Sequence, residues 1–286
     1  MLPKSLYQGL ICLLVTLPAA VNSVSAQDLF PDKALEAAVR KEVFAKRYNT
    51  EPLTSDDVKN ISQVVGKKAG IKSLEGLQNC HALMLIDLEN NEIADLAPIK
   101  ELKLLQSVNL AGNQIQSIEP MTALTGLQYL ELSRNKIAVI APIKAMANMR
   151  SLYLSDNQIK SLETVSELKK VWTLYAAKNP IEDFSPIGKL KWLSSLDLKS
   201  CAIKDLQFLK PLTELKYVML ADNQITDLAT MIEMADADVK GEKRFAPFLR
   251  LYVDNNPLSD VAKSEQVAKL KELGVRIETE PPAPKK

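Results

Sequence analysis

The stretches LQYLELSRNKI (Leu127 to Ile137) and MRSLYLSDNQI (Met149 to Ile159) begin 22 residues apart and carry apolar residues at the same positions. Each places a tyrosine beside its central apolar residues and ends in N-x-I. Self-similarity at a fixed period of 20–50 residues is typical of proteins built from stacked repeats. The two stretches therefore predict a solenoid in which each repeat forms one coil.

The asparagine of this pattern extends the period along most of the chain. Two residues after each one stands an isoleucine, and an alternating L-x-L or close variant precedes it, which predicts a short strand with one face turned inward. Each strand is expected to pair in parallel with its copy in the next coil. The asparagines are Asn91, Asn113, Asn135, Asn157, Asn179 and Asn223, with Cys201 at the one position that breaks the series.

The repeated asparagine has a structural role because its amide both donates and accepts hydrogen bonds. Turned inward, it can pair backbone groups of neighbouring coils that would otherwise be buried unpaired, at a cost of about 1–3 kcal/mol each. Cys201 fills the same slot as a weak donor, and we expect a buried, unreactive thiol there. A proline recurs seven residues after four of the asparagines, as expected for the first turn of a short helical segment.

The unit L-x-x-L-x-L-x-x-N-x-I, followed by a proline, resembles the internalin-type bacterial leucine-rich repeat. This resemblance implies an α/β fold: a curved solenoid with a parallel β-sheet on its concave side and short helical or 3₁₀ segments on its convex side. It also implies a helical N-terminal cap and a C-terminal cap of one helix and one strand. The sequence shows no immunoglobulin-like domain or cell-wall sorting motif after the repeats, so a host-receptor role does not follow. The expected segments are a signal peptide (1–26), the N-terminal cap (27–60), the repeats (61–263), the C-terminal cap (264–279) and a disordered tail (280–286).

The first 26 residues have the layout of a secretory signal. Lys4 supplies the charge, an apolar run follows, and Val24-Ser25-Ala26 predicts cleavage after Ala26. The alternative is an uncleaved membrane anchor, but the run of about a dozen apolar residues is short of the roughly 20 needed to span a bilayer. We expect export to the periplasm or beyond, with no integral membrane segment in the mature chain.

The repeat spacing is interrupted once, by 11 extra residues within 229–248, where a longer convex helix and a polar loop are expected. Lys240, Lys243 and Arg244 in that loop form either a contact site or a solvated charge run. The two cysteines of the mature chain, Cys80 and Cys201, fall five coils apart. That is roughly 24 Å at strand spacing, whereas a disulfide requires Cα atoms within about 7 Å, so no disulfide is expected.

Composition argues against several classes of function. The chain has 36 basic and 35 acidic residues, without the basic bias of a nucleic-acid binder. His81 is the single histidine, which provides neither a metal site nor a catalytic triad. No enzyme activity, cofactor or metal is therefore predicted, and the chain is expected to be a monomer.

Five of the seven tyrosines fall at positions predicted to face the concave side, counted six, four, two or one residue before each asparagine. Aromatic residues are enriched at binding surfaces, so we expect a patch that binds a protein partner. Tyrosine is also common in strands for structural reasons, and Trp172 and Trp192 near the strand starts form either a lateral contact or loop packing. A passive envelope component and a glycan- or peptidoglycan-binding module stay open as alternatives. The predicted partner-binding residues are Tyr129, Glu131, Tyr153, Asp156, Tyr175, Lys178, Asp197, Lys199, Tyr217, Met219 and Tyr252.

Overall fold

A computed structural model describes residues 28–279; the predicted signal peptide and tail lie outside these residues. Within them, ten short strands form one parallel sheet in which every strand pairs with the next along the chain. This arrangement confirms the predicted leucine-rich repeat solenoid. The strands are β1 (Gln63–Val65), β2 (Leu85–Asp87), β3 (Ser107–Asn109), β4 (Tyr129–Glu131), β5 (Ser151–Tyr153), β6 (Thr173–Tyr175), β7 (Ser195–Asp197), β8 (Tyr217–Met219), β9 (Arg250–Tyr252) and β10 (Arg276–Glu278).

The register of the sheet follows the repeat period. Leu130 lies opposite Leu152, and Leu152 opposite Leu174, so pairing advances by one repeat per strand. The central residue of each of these strands is buried while its two neighbours are half-buried on the concave side. Side chains at one offset therefore stand side by side across the concave face.

The asparagine ladder joins consecutive coils beneath the sheet, and Asn157 shows its pattern. Its Oδ1 accepts from the backbone N–H of Ile137 in the preceding coil at 3.0 Å. Its Nδ2 donates to the carbonyls of Leu132 and Leu154, both at 3.0 Å. One side chain thus pairs three backbone groups from two coils.

Cys201 replaces this amide with a thiol. Its Sγ lies 3.4 Å from the carbonyl oxygen of Ala176, where an asparagine Nδ2 would donate. In the coil before, Asn179 Oδ1 accepts from the backbone N–H of Ile159. A thiol has no amide oxygen, so Cys201 offers no equivalent acceptor. Cys80 and Cys201 are both buried and free, and burial raises the pKa of Cys80 to about 12 and that of Cys201 to about 11.

The convex side consists mainly of 3₁₀ turns of three to five residues. Pro98 lies in the first turn of Ala97–Ile99 and Pro186 in that of Ser185–Lys189, where the missing N–H has no intrahelical partner to lose. The apolar residues of these turns, such as Ile99 and Ile187, are buried against the strands.

The N-terminal cap is helical, with α1 (Lys33–Arg40) and α2 (Ser55–Val58). Asp32 caps α1 by accepting from the N–H groups of Ala34 and Leu35, and its second oxygen accepts from Lys72 and Ser73 in the first coil. Partial burial raises the pKa of this carboxyl, but the four backbone N–H donors outweigh it and leave the pKa below its usual value. Asp32 therefore attaches the cap to the repeats.

The insertion forms α3 (Ala229–Lys240), followed by a turn that Asp238 organises. The Asp238 carboxylate accepts from the backbone N–H groups of Arg244, Phe245 and Ala246 at 2.9, 3.1 and 2.9 Å. The side chain of Arg244 pairs with Glu214 in the preceding coil and with Glu242. Because of these contacts, the segment predicted as a solvated loop or contact site is fixed against the repeats at Arg244.

The C-terminal cap begins with a π-helical turn at Ala262–Gln266 that continues into α4 (Val267–Glu272). Gln266 accepts from the backbone N–H of Leu228 and donates to Asp227, which connects this cap to the start of α3. Gly274, with φ +94°, ends the helix and leads into β10. Across residues 28–279, the structure contains no helix long and apolar enough to cross a bilayer.

Candidate functional site

Three tyrosine rings form a continuous row on the concave face. Tyr153 and Tyr175 are direct register partners in β5 and β6, and their ring centroids lie 5.1 Å apart with the planes at 83°, an edge-to-face contact. Tyr129 of β4 lies two residues before Glu131, the register partner of Tyr153, so it is a diagonal neighbour on the same face, with its ring centroid 5.4 Å from that of Tyr153. Edge-to-face pairs are favourable aromatic contacts, so the row is ordered by its own packing as well as by the sheet.

The tyrosine row forms part of the floor of an open groove of about 1000 Å³ that crosses coils from β4 to β8. The wall on the N-terminal side of the strands is built by residues that precede each strand. We call this surface the groove. The residues that line it are Tyr129, Glu131, Arg150, Tyr153, Lys170, Trp172, Thr173, Tyr175, Trp192, Ser194, Ser195, Glu214, Lys216 and Tyr217.

The two tryptophans stand at this wall and are largely open to solvent. Trp172 is 48% exposed and Trp192 is 61% exposed, so neither ring is buried by loop packing. The indole Nε1 of Trp172 donates to Ser151 Oγ at 3.2 Å, and the guanidinium of Arg150 lies 5.6 Å from its ring centroid. Trp172 is therefore held in one orientation by a hydrogen bond and a cation–π contact.

Positive charge predominates along the same wall. Arg150, Lys170 and Lys216 are exposed, and none of them has a carboxylate within 4 Å among residues 28–279. The nearby Glu214 is paired with Arg244 of the insertion, which also contacts Glu242. The wall consequently presents three cations, none paired with a carboxylate among the described residues, to a ligand.

The floor of the groove combines the carboxyl group of Glu131 with the phenol rings. Burial raises the pKa of Glu131, although the Ser133 backbone N–H donates to its Oε1 at 2.7 Å and opposes the shift. Burial, followed by the charge of Glu131, also raises the pKa of Tyr129, and burial raises that of Tyr153. These phenols stay neutral at physiological pH, and the Tyr175 hydroxyl is 3.0 Å from Ser195 Oγ. The floor therefore offers apolar ring edges and neutral hydroxyl groups.

Three of the predicted binding residues are buried, which corrects their assignment to an accessible patch. Tyr252 is only 1% exposed because its hydroxyl donates to Glu278 Oε2 of β10 at 2.8 Å, so the C-terminal cap covers it. Met219 lies between Asp197 and Tyr252 in register and is also buried. Asp197 accepts from the backbone N–H of Lys199 at 3.1 Å, and burial raises the pKa of its carboxyl.

Three further predicted residues lie at the opposite ends of the strands. Asp156 and Lys178 directly precede the ladder asparagines and adopt left-handed backbone conformations, with φ +59° and +56°. Lys199, two residues before the ladder position, is 3.8 Å from the Asp197 carboxylate. None of the three lines the groove, which brings together Tyr129, Glu131, Tyr153, Tyr175 and Tyr217 of the predicted set.

The sequence assigned to the concave face only positions in the strand and in the turn after it. Seven residues of the groove lie upstream of those positions. Four of them stand seven residues before the ladder position and three stand nine before it. The same repeat alignment, extended further upstream, would have shown an aromatic and basic column. They are Arg150, Trp172, Ser194 and Lys216 at the first offset and Lys170, Trp192 and Glu214 at the second.

The described residues contain no candidate metal-binding site. In the 28–279 range no group of three or more His, Cys, Asp or Glu side chains is placed to hold a metal ion. His81 is exposed in the turn before β2, far from the groove in the repeat order.

Comparison with known proteins agrees with the geometry. A family described as "Leucine Rich repeats (2 copies)" matches residues 125–170, which contain β4, β5 and the turns after them. No curated protein sequence matches the chain significantly.

Similar solved structures include two internalins from Listeria monocytogenes. Internalin C2 is 29% identical, with a TM-score of 0.68, over 72% of this chain and 91% of that one. Internalin F is 20% identical, with a TM-score of 0.59, over 92% of this chain and 91% of that one. The plant peptide hormone receptor RGFR1, solved in complex with RGF2, is 18% identical over 69% of this chain and 32% of that one, with a TM-score of 0.57, and shows the shared fold.

The repeat motif, the single parallel sheet with its asparagine ladder and the similarity to internalin C2 agree on one classification. The chain has the leucine-rich repeat fold, and in that fold it is similar to the internalins.

Proposed function

We propose that this protein is an exported, non-catalytic binding module that takes a protein partner in the groove on its concave face. The observation that carries the proposal is the ordered row of Tyr129, Tyr153 and Tyr175 beside the exposed Trp172 and Trp192. Tyrosine and tryptophan bury a large area on binding while losing few torsional degrees of freedom, and they dominate interface energetics. The plant receptor of the same fold, solved in complex with RGF2, supports a ligand-binding role.

Export rests on the first 26 residues of the sequence. The proposal expects the protein recovered from the periplasm or the culture medium to begin at Gln27.

The binding proposal is tested by crosslinking from the groove itself. A photoreactive amino acid replaces Ser194, which lines the groove beside Trp192, in the full chain, and the protein is irradiated with the native envelope and culture-supernatant fractions. We expect a saturable adduct that disappears in Tyr153→Ala/Tyr175→Ala, because that pair removes the centre of the ring row.

Tyr48→Ala is the matched control, since Tyr48 is 93% exposed in the N-terminal cap and away from the groove. It should leave the adduct unchanged. Equal capture by the wild type and the Tyr153/Tyr175 variant, with both proteins folded, would contradict the proposed function.

A further inference from the structure

The charges around the groove indicate the kind of partner segment that it accepts. Arg150, Lys170 and Lys216 belong to different coils, β5, β6 and β8, yet line one wall of one groove. The sheet register places neighbouring coils about 4.8 Å apart, so these cations span roughly 15 Å along the groove. That length matches four or five residues of an extended chain at about 3.3 Å each.

The acidic residues of the groove do not cancel this charge. Glu214 is paired with Arg244, which the insertion brings to the end of the groove. Glu131 lies on the floor, where its Oε1 accepts from the Ser133 backbone N–H at 2.7 Å. Three wall cations thus stand against two acidic residues in the groove, one of them already paired, so charge complementarity along this wall favours carboxylates or other anions on the partner.

The aromatic residues favour a peptide over a sugar as the anionic partner. A sugar ring stacks on an open aromatic face, but the guanidinium of Arg150 lies over Trp172, 5.6 Å from its centroid, which leaves Trp192 as the more open indole. Tyr153 and Tyr175 meet edge to face, so they do not form a flat stacking platform. The ring edges, beside the hydroxyls of Tyr175 and Ser195, suit apolar side chains and peptide groups.

Building on the proposed function, we infer that the groove binds an acidic segment of its protein partner. Aspartate or glutamate side chains of that segment pair with Arg150, Lys170 and Lys216. Its apolar or aromatic side chains pack on the row of Tyr129, Tyr153 and Tyr175.

The probe for this inference is a fluorescent random copolymer of glutamate and tyrosine, compared with a copolymer of lysine and tyrosine of the same length. Binding to the mature chain is followed by fluorescence anisotropy at low and physiological salt. We expect the acidic copolymer alone to bind. Reversing two wall charges, Arg150→Glu/Lys216→Glu, should weaken that binding by about tenfold or more and reduce its salt dependence, since rim charges control electrostatic association.

The matched control is Lys136→Glu/Lys204→Glu, which changes the net charge equally at exposed lysines outside the groove. It should bind as the wild type does. Circular dichroism and thermal unfolding establish that each variant is folded before its binding is interpreted.

Three results would overturn the inference. They are absent or charge-independent binding of the acidic copolymer, equal loss of binding in the Lys136/Lys204 control, and equally tight, competing binding of polygalacturonate. Polygalacturonate is an anionic polysaccharide, so its competition would assign the groove to glycans. If the crosslinked adduct still depends on Tyr153 and Tyr175 in any of these cases, the proposed protein-binding function stands and only the acidic chemistry fails.

Discussion

At the scale of single residues, the side-chain amide of the repeated asparagine links the backbones of stacked coils. Asn157 pairs three backbone groups that burial removes from water, and its equivalents repeat the pattern in other coils. Cys201 shows that the slot tolerates a residue that supplies only part of this pairing. The ladder position is thus constrained by backbone chemistry more than by packing volume.

Asn157→Ala should lower the free energy of unfolding by about 1–3 kcal/mol. The substitution leaves the buried backbone N–H of Ile137 without its acceptor, and one unsatisfied buried group costs about that much. The carbonyls of Leu132 and Leu154 lose one donor each but keep the amides of Asn135 and Asn179. Chemical denaturation followed by circular dichroism measures the change. Gln158→Ala, at the exposed neighbouring position, should stay within about 0.5 kcal/mol of the wild type, and a similar value for both variants would refute the role of the ladder.

At the scale of elements, the short helices of the N-terminal cap depend on their ends. Helix α2 has only four residues, too few to be stable alone. Thr54 and Asp57 form a capping box, and Lys46 Nζ donates to Asp57 Oδ2 at 2.9 Å. Hydrogen bonds from the Thr54 hydroxyl, Lys46 and the Thr54 backbone N–H lower the pKa of Asp57 from 3.8 to about 2.

This shift sets the pH dependence of the cap. Because the folded-state pKa of Asp57 is below its unfolded value, its contribution is complete above about pH 4 and is lost as the pH falls towards 2. Asp57→Asn should therefore destabilise the protein by about 1 kcal/mol at pH 7 and by much less at pH 2.5. Denaturation at both values tests this, with Asp56→Asn as the control because the Asp56 side chain is 88% exposed. A difference that is constant with pH would be inconsistent with this account.

The elements also explain how much of the site could be predicted. The positions of Tyr153 and Tyr175 follow from the period, since equal offsets in adjacent coils become register partners. Tyr252 has the same offset but lies beneath Glu278, 26 residues later in the chain. The repeat pattern contains no information on what a cap covers, so burial at the end of the solenoid was not predictable from it.

At the scale of the whole molecule, the solenoid is open-ended and its core is continuous from the N-terminal cap to the C-terminal cap. Each coil buries its apolar residues only against its neighbours, so the terminal coils need covering elements. Leu35, Ala38 and Val39 of α1 provide that cover at the N-terminal end and are fully or almost fully buried.

Deleting residues 28–60 should therefore expose the apolar surface of the first coil that the cap normally covers. We expect the shortened chain to aggregate or to bind a hydrophobic dye, as shown by size-exclusion chromatography and dye fluorescence. A chain that ends at Thr279 keeps every described contact and should remain monodisperse. A soluble, dye-negative protein without the cap would show that the first coil is stable on its own.

The sequence alone determined the coil, its register and the direction in which each strand side chain points. This was possible because all of these depend on a 22-residue pattern that is local to one repeat and recurs in the next. The tertiary structure decided which of those side chains a ligand can reach. Accessibility depends on residues outside the strand pattern: the cap that covers Tyr252, the insertion that brings Arg244 to Glu214, and the upstream columns that place Trp172 and Trp192 beside the tyrosine row.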